Sequence, residues 1–298
     1  MPEFKVKYPN SEGTHKEIRT IESSTGKVDV SVLLPTVDAD RGGYFAKLLS
    51  QLKEQTFQDF EVIIVIGDKR QGRAINKAAA LAKGELLIIL DDDASIGHNT
   101  VFENLVKHIE QDPKIGMAGV ANTIPEDANW VVRTVMKQVP RRSSEIVKEV
   151  VESDMAEHPC CAIPRHVFYG MGGENEIIPR GLDPYLRSEI RKYGYKIVVI
   201  PNTFIHHLPP ETLSKNIGQF FRNGRQSAFA RLNYPDFVVD LTVSHTDDFE
   251  EKVGFGTRLF RMLGRVFLSV VKLEFMNLLF MICYYYGFIV GYFFDRKK

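Results

Sequence analysis

The stretch Gly84-Glu85-Leu86-Leu87-Ile88-Ile89-Leu90-Asp91-Asp92-Asp93 decides the fold. Leu86 to Leu90 are all large and aliphatic with no polar position between them, which describes a strand buried on both faces. The strand runs straight into Asp91-Asp92-Asp93. In open α/β sheets, ligands bind at the carboxyl ends of the strands, and the acidic triplet sits at such an end. Two carboxylates one residue apart, Asp91 and Asp93, can hold a divalent cation together with substrate phosphates. Mg²⁺ and Mn²⁺ favour such oxygen ligands and keep part of their shell for phosphate or water.

Outward from this strand the pattern alternates. Val28 to Leu34 reads as a buried strand closed by Pro35, and 42–55 as an amphipathic helix carrying Phe45, Leu48, Leu49 and Leu52 on one face. Glu61 to Ile66 is a second strand ending at Gly67-Asp68, and 72–83 a helix stopped by Gly84. After the triplet, Thr100 and Glu103 match a capping box, and Phe102, Leu105, Val106 and Ile109 form the stripe of the helix behind it. Met117 to Val120 is a fourth strand. Such alternation predicts a mostly parallel sheet with helices on both faces. The second half reads as a helix over 130–151 broken at Pro140, a short helix from Asp183 to Tyr193, a strand from Lys196 to Ile200, and a helix over 211–231.

The 298 residues hold 38 Lys plus Arg against 38 Asp plus Glu, so no basic excess points to nucleic acid. Cys160, Cys161 and Cys283 form neither a disulfide framework nor a CxxC metal site, which suits a reducing compartment. Residues 1–27 read as a polar lead-in without a signal sequence. Residues 275–294 carry no charge and are long enough to span a hydrocarbon core. Ahead of them, Arg258, Arg261, Arg265 and Lys272 punctuate Leu259, Phe260, Leu263, Val266 and Phe267 as a basic amphipathic stretch, and Asp295-Arg296-Lys297-Lys298 follow. Basic flanks on both sides disfavour a single crossing, so an in-plane or re-entrant membrane segment and an oligomerisation helix are the alternatives.

Three further constellations carry chemistry. Asp183, at a helix start with Pro184 behind it, is placed either to cap that helix or to take a proton from an acceptor hydroxyl. His206-His207 at a strand end offers an imidazole to a metal. Arg222 and Arg225 are either a solvated basic face or ligands for diphosphate oxygens.

Taken in order, these residues resemble the family 2 glycosyltransferases of the GT-A fold. Val30-Ser31-Val32-Leu33-Leu34-Pro35-Thr36, Gln55-Thr56-Phe57 and Glu61-Val62-Ile63-Ile64-Val65 resemble the family's opening, and Ala74-Ile75-Asn76 through Asp93 continue it. Gly172-Gly173-Glu174-Asn175-Glu176 resembles its GGFDE stretch. Gly181-Leu182-Asp183 with Leu186-Arg187 resembles its base-bearing segment. The resemblance implies a GT-A, Rossmann-like α/β domain, with a nucleotide-sugar half over 28–120, an acceptor half over 121–253 and a membrane-associated helical segment over 254–298. It implies an inverting, metal-dependent hexosyltransferase using Mn²⁺ or Mg²⁺, with a UDP- or GDP-sugar donor. The acceptor would be a hydroxyl or phosphate, lipid-linked or glycan, at the cytosolic membrane face. Asp183 would be the catalytic base. Pro35, Thr36, Asp68, Arg73, Asn76, Asp91, Asp92, Arg222 and Arg225 would meet the donor. Gly173, Glu174, Glu176 and Arg187 would meet the acceptor, and Asp93 with His206 or His207 the metal. Asn223 replaces the Trp of the family's QxxRW motif, which argues against a processive synthase. A sugar nucleotidyltransferase of the same fold would need a Gly-rich loop where Pro35-Thr36-Val37-Asp38 stands. Intact Asp91, Asp93 and Asp183 speak against a non-catalytic nucleotide-binding protein.

Overall fold

A computed structural model of the chain describes residues 4–240 and 253–295. In chain order the elements are β1 (Glu17–Ile21), β2 (Val30–Thr36), α1 (Tyr44–Lys53), β3 (Phe60–Ile66), α2 (Gln71–Leu81), β4 (Leu86–Leu90), β5 (Ala94–Ile96), α3 (Val101–Gln111), β6 (Ile115–Asn122) and α4 (Trp130–Gln138). There follow β7 (Val151–Glu152), β8 (Cys160–Pro164), α5 (Arg165–Gly170), α6 (Leu182–Lys192), β9 (Lys196–His207), α7 (Leu213–Asn233), α8 (Phe255–Val271) and α9 (Phe275–Phe294).

The strands form one sheet in the order β1-β3-β2-β4-β8-β6-β9-β5, with β7 also pairing β9. The pleat sorts the apolar residues into two cores. Val30, Val32 and Leu34 of β2 face α1 and α3, where they meet Leu48, Leu52, Phe102 and Leu105. Leu33, one step out of phase, faces α2, α5 and α6 with Ile75, Ala78, Phe168 and Leu186. Helices therefore cover both faces, as the continuous aliphatic runs require.

The sheet is mixed rather than mostly parallel. β2 runs parallel to β3 and β4, and β6 parallel to β9. The departure comes from β8, which runs antiparallel between β4 and β6. β1 is a second departure. The stretch read as a polar lead-in supplies this edge strand, antiparallel to β3, and Phe4 ahead of it stacks on Tyr169 at 4.5 Å. The helix expected over 130–151 ends at Gln138, ahead of Pro140, and does not resume. The capping box at α3 does not form, because Thr100 pairs with the His98 ring and Glu103 accepts from Thr56. Gly84 lies three residues beyond the end of α2 and serves packing: a Cβ there would lie 2.5 Å from the Val30 carbonyl carbon.

The apolar C-terminal helix is built into the domain. α9 crosses α7 at backbone contact: a Cβ on Gly224 would strike the Tyr284 carbonyl, and one on Gly287 the Phe221 carbonyl. Phe280 of α9 is 1% exposed, stacks on Phe220 at 4.6 Å, and closes a cluster with Val131, Val135 and Val139. A boundary at residue 254 thus cuts through a packed interface. Residues 296–298 of the basic C-terminal flank lie outside the described residues.

Filling the crossing tests this packing. Gly287→Leu should lower stability by more than the roughly 1–3 kcal/mol typical of overpacking, because the clash is with backbone. Gly256→Ala, where the Cβ would meet open space, should leave the melting temperature unchanged. Equal melting curves for Gly287→Leu and the parent protein would show that α9 is not seated on α7.

Candidate active site

Beyond β4 the chain turns at once, with the Ala94 N–H donating to the Asp91 carbonyl at 3.1 Å. β5 then pairs antiparallel with the end of β9, setting Ala94 opposite His207 and Ser95 opposite His206. Neighbouring residues on a strand point to opposite faces, so the two histidines separate. The His207 Nε2 lies 3.3 Å from Asp93. His206 turns away and bonds through Nδ1 to the Thr123 carbonyl at 2.9 Å. Asp91, Asp93 and His207 each offer one ligand atom, all within 4.8 Å of one another. His206, left open as an alternative ligand, lies outside this group.

The charges here are strongly coupled. Asp91 is pushed up to about 6, mainly by withdrawal from water and further by the Asp93 and Asp183 charges. Burial also works against the Asp93 charge, but His207 and Arg41 outweigh it and hold that carboxyl down to about 2. Burial opposes charge on His207 too, yet Asp93 and Asp91 raise its pKa overall. Arg41 bridges Asp93 and Asp92, its Nε 2.9 Å from Asp92. Asp92 is buried and also bonds Thr36, so it props the turn. Gln71 at the start of α2 donates to Asp91 at 2.8 Å. Two carboxylates and one imidazole make a donor set suited to Mn²⁺ or Mg²⁺ that leaves coordination positions for phosphate.

Asp183 opens α6, but as a first-turn residue: the N-cap is Gly181, at φ 86°, and no side chain caps the helix. Its carboxylate, 31% exposed, accepts the His158 backbone N–H at 2.7 Å. The His158 ring lies beneath, Nδ1 3.4 Å from Asp183 and Nε2 2.8 Å from Glu174. His158 stands alone before Pro159 and β8, and no spacing in the sequence marks it.

Several residues expected to meet ligands are instead turned into protein. Asp68 is closed by Arg73 at 2.8 Å and Lys77 at 3.3 Å, and Arg73 also donates to the Asn10 carbonyl at 3.0 Å. Asn76 brackets the Gly173–Glu176 loop, donating to the Glu174 carbonyl at 3.0 Å and to Glu176 at 2.9 Å. Gly173 sits at φ +70° with no room for a Cβ beside Asn76. Glu174 and Arg187 are fully buried, and Arg187 donates to the Ala156 carbonyl at 2.6 Å. Asn76 and Glu174, through His158, and Arg187 thereby support the packing beneath Asp183. Pro35 is buried within β2. Arg225 pairs with Asp295 at 2.5 Å and Arg222 is exposed.

Two other arginines come to the cleft. Arg142 lies over Phe220 and donates to Gln219 at 3.2 Å, and Arg180 donates to Asn223 at 2.7 Å. Gln219 and Asn223 are one turn apart on a single face of α7, which sets the two guanidinium groups side by side. Both bond neutral amides, so neither charge is cancelled there. Burial and the neighbouring Arg180 depress the Arg142 pKa, while the Asp93 charge works the other way. Asp183 acts likewise on Arg180.

Residues 44–163 match a family described as glycosyltransferase-like. No curated protein matches the sequence. Among solved structures, a mannosyltransferase, PcManGT from Pyrobaculum calidifontis, in complex with GDP-Man and Mn²⁺, is 13% identical, covering 96% of this chain and 92% of its own, at a TM-score of 0.58. TarS from S. aureus, in complex with UDP-GlcNAc, is 15% identical over 73% of this chain and 69% of its own, at a TM-score of 0.46. The fold is thus that of the GT-A glycosyltransferases, and residues 44–163 carry the sequence pattern of a glycosyltransferase-like family.

Metal binding can be measured directly. Asp93→Ala and His207→Ala should each weaken Mn²⁺ affinity by at least the roughly 10–100-fold that loss of a supporting partner costs in metal sites. His206→Ala should bind Mn²⁺ like the parent protein. Calorimetric titration reads all three, and equal affinity across the set would remove His207 and Asp93 from the site.

Proposed function

We propose that the protein is an inverting, metal-dependent hexosyltransferase that moves a sugar from a UDP- or GDP-sugar to a hydroxyl of a lipid-linked, phosphate-bearing acceptor at the cytosolic face of a membrane. The observation that carries this reading is the convergence of Asp91, Asp93 and His207 on one point, with Asp183 close enough for its charge to be felt at Asp91. A divalent cation in that group would offset the charge growing on the departing diphosphate. Thr36, Asp91 and Asp92 line the donor side at the ends of β2 and β4. Asp183 takes the acceptor proton as the hydroxyl attacks the anomeric carbon, and a single displacement inverts that carbon. The paired, uncancelled charges of Arg142 and Arg180 support an anionic group beside Asp183, either the diphosphate or the acceptor's phosphate.

The C-terminal helices support membrane attachment. Among the described residues α9 is the one helix long and apolar enough to span a bilayer. Phe260, Leu263, Phe267 and Val271 form one exposed stripe on α8, and Ile282, Tyr286, Ile289 and Phe293 another on α9. The opposite face of α9 is locked to α7 by glycines, which favours a helix lying in the interfacial plane over one that crosses.

Two measurements test the reading. Asp183→Asn, which removes a base without removing a helix cap, should keep the fold and donor affinity but lower transfer by on the order of 10²–10⁴-fold. Transfer at the parent rate would take Asp183 out of the chemistry. In vesicle flotation, the full chain should rise with the lipid, and Phe260→Asp with Phe267→Asp should leave most of it at the bottom of the gradient. Equal flotation of both proteins would remove α8 from the membrane contact.

A further inference from the structure

A histidine sealed between two carboxylates, one of them at the mouth of the cleft, has no part in the function described so far. His158 is 1% exposed and Glu174 0%. The His158 Nε2 is 2.8 Å from Glu174 Oε1, while Nδ1 lies 3.4 Å from Asp183 Oδ1. The backbone N–H of His158 donates to that same Oδ1 at 2.7 Å, so one residue holds Asp183 by main chain and ring together. Glu174 is itself fixed, its backbone N–H donating to Asn76 at 2.8 Å, and its second oxygen is buried without a partner.

We propose that His158 is a positioning residue: as a buried imidazolium shared by Glu174 and Asp183, it keeps the Asp183 carboxylate charged and holds it through Oδ1 alone. This rests on the reading of Asp183 as the base. A buried carboxylate with no cation beside it would take up a proton instead of staying charged. The two carboxylates differ: burial raises the Glu174 pKa although His158 works against it, whereas the partly exposed Asp183 is held below its ordinary value. Burial by itself would deprotonate the ring, but Asp183 and Glu174 outweigh it and raise His158 to about 10. Burial would likewise protonate Asp183, and His158 first, then Arg187 and Arg141, bring its pKa below the ordinary value. The other charges facing the pair are Arg187, which donates to the Ala156 carbonyl at 2.6 Å, Arg141, Arg180 and Asp91. Arg141 is engaged by Asp154 and Glu157, Arg180 is turned to Asn223, and Asp91 is of like sign to Asp183. The Cys160 and Cys161 thiols are kept protonated by burial.

The sign of the consequence is fixed. Loss of the imidazolium raises the pKa of Asp183, so the acidic limb of kcat/KM for nucleoside diphosphate release moves to higher pH. In the full-length protein, His158→Gln should lose about tenfold in rate for each pH unit below the new limb and recover toward the parent rate above it, with the donor KM unchanged. An acidic limb at the parent position overturns the proposal. Should His158→Gln not fold, nitrogen NMR of histidine-labelled parent protein decides: His158 in the imidazolium form at neutral pH supports the proposal, and a neutral ring overturns it. Asp183→Asn run beside it keeps the two claims apart. If Asp183→Asn loses transfer while His158→Gln keeps the parent profile, the positioning role alone fails. If Asp183→Asn transfers normally, the base reading fails and the positioning role with it.

Discussion

Asp91, Asp92 and Asp93 at the end of a fully buried strand impose the constraint on which the rest of the structure depends. Three adjacent carboxylates at the edge of an apolar core repel one another and resist desolvation, so the fold must bring positive charge and donors to them. Arg41 reaches in from the loop after β2, Thr36 bonds the middle carboxylate, and His207 arrives at the end of β9. The short pairing of β5 with β9 makes this arrival possible, since it sets His207 opposite Ala94. The balance still falls short at Asp91, which stays near a pKa of about 6. A divalent cation in this group would favour the charged form of Asp91 beside the already ionised Asp93.

The second requirement is a rigid floor for Asp183. It comes from side chains far apart in sequence that satisfy one another: Asn76 from α2 brackets Glu174 and Glu176, Arg73 closes on Asp68, and the N-terminal segment bonds Glu176 through the Asn10 N–H at 2.8 Å. Buried polar groups of this kind are costly unless every partner is present. The motif residues of the Gly173–Glu176 loop are therefore fixed by Asn76 and by the N-terminal segment. They place α6, and α6 places Asp183.

What could be read from the chain follows from how local the signal was. β4 is aliphatic throughout, β2 and β3 carry aliphatic runs over 32–34 and 62–66, and the acidic triplet, α6 and α9 are marked by residues within a few positions of one another. The antiparallel β8 escaped because Cys160-Cys161-Ala162-Ile163-Pro164 is short, carries no alternation and lies between prolines. β1 escaped because edge strands are polar: four of its five residues are exposed. His206 and His207 could not be ranked until the pairing of β5 fixed the pleat. His158, Arg142 and Arg180 left no trace, since their meaning comes from partners such as Glu174, Gln219 and Asn223 that are distant in sequence. At Asn76, Arg73 and Arg187 the motifs gave no hint of the protein partners these side chains meet, the Glu174 carbonyl, Asp68 and the Ala156 carbonyl.

The C-terminal helices join the same account, because α7 supplies the face that orients Arg142 and Arg180 on one side and receives α9 on the other. Cleft and exposed apolar surface are thus two sides of one helix pair. The central claim is that this cleft transfers a sugar from a nucleotide sugar with metal assistance. It is tested most directly by incubating the purified protein with a panel of UDP- and GDP-sugars and membrane extract, with Mn²⁺ or with chelator, and identifying the nucleotide product. Metal-dependent release of a nucleoside diphosphate from one donor is the predicted result. No diphosphate from any donor, with pyrophosphate-dependent formation of a nucleoside triphosphate instead, would contradict it.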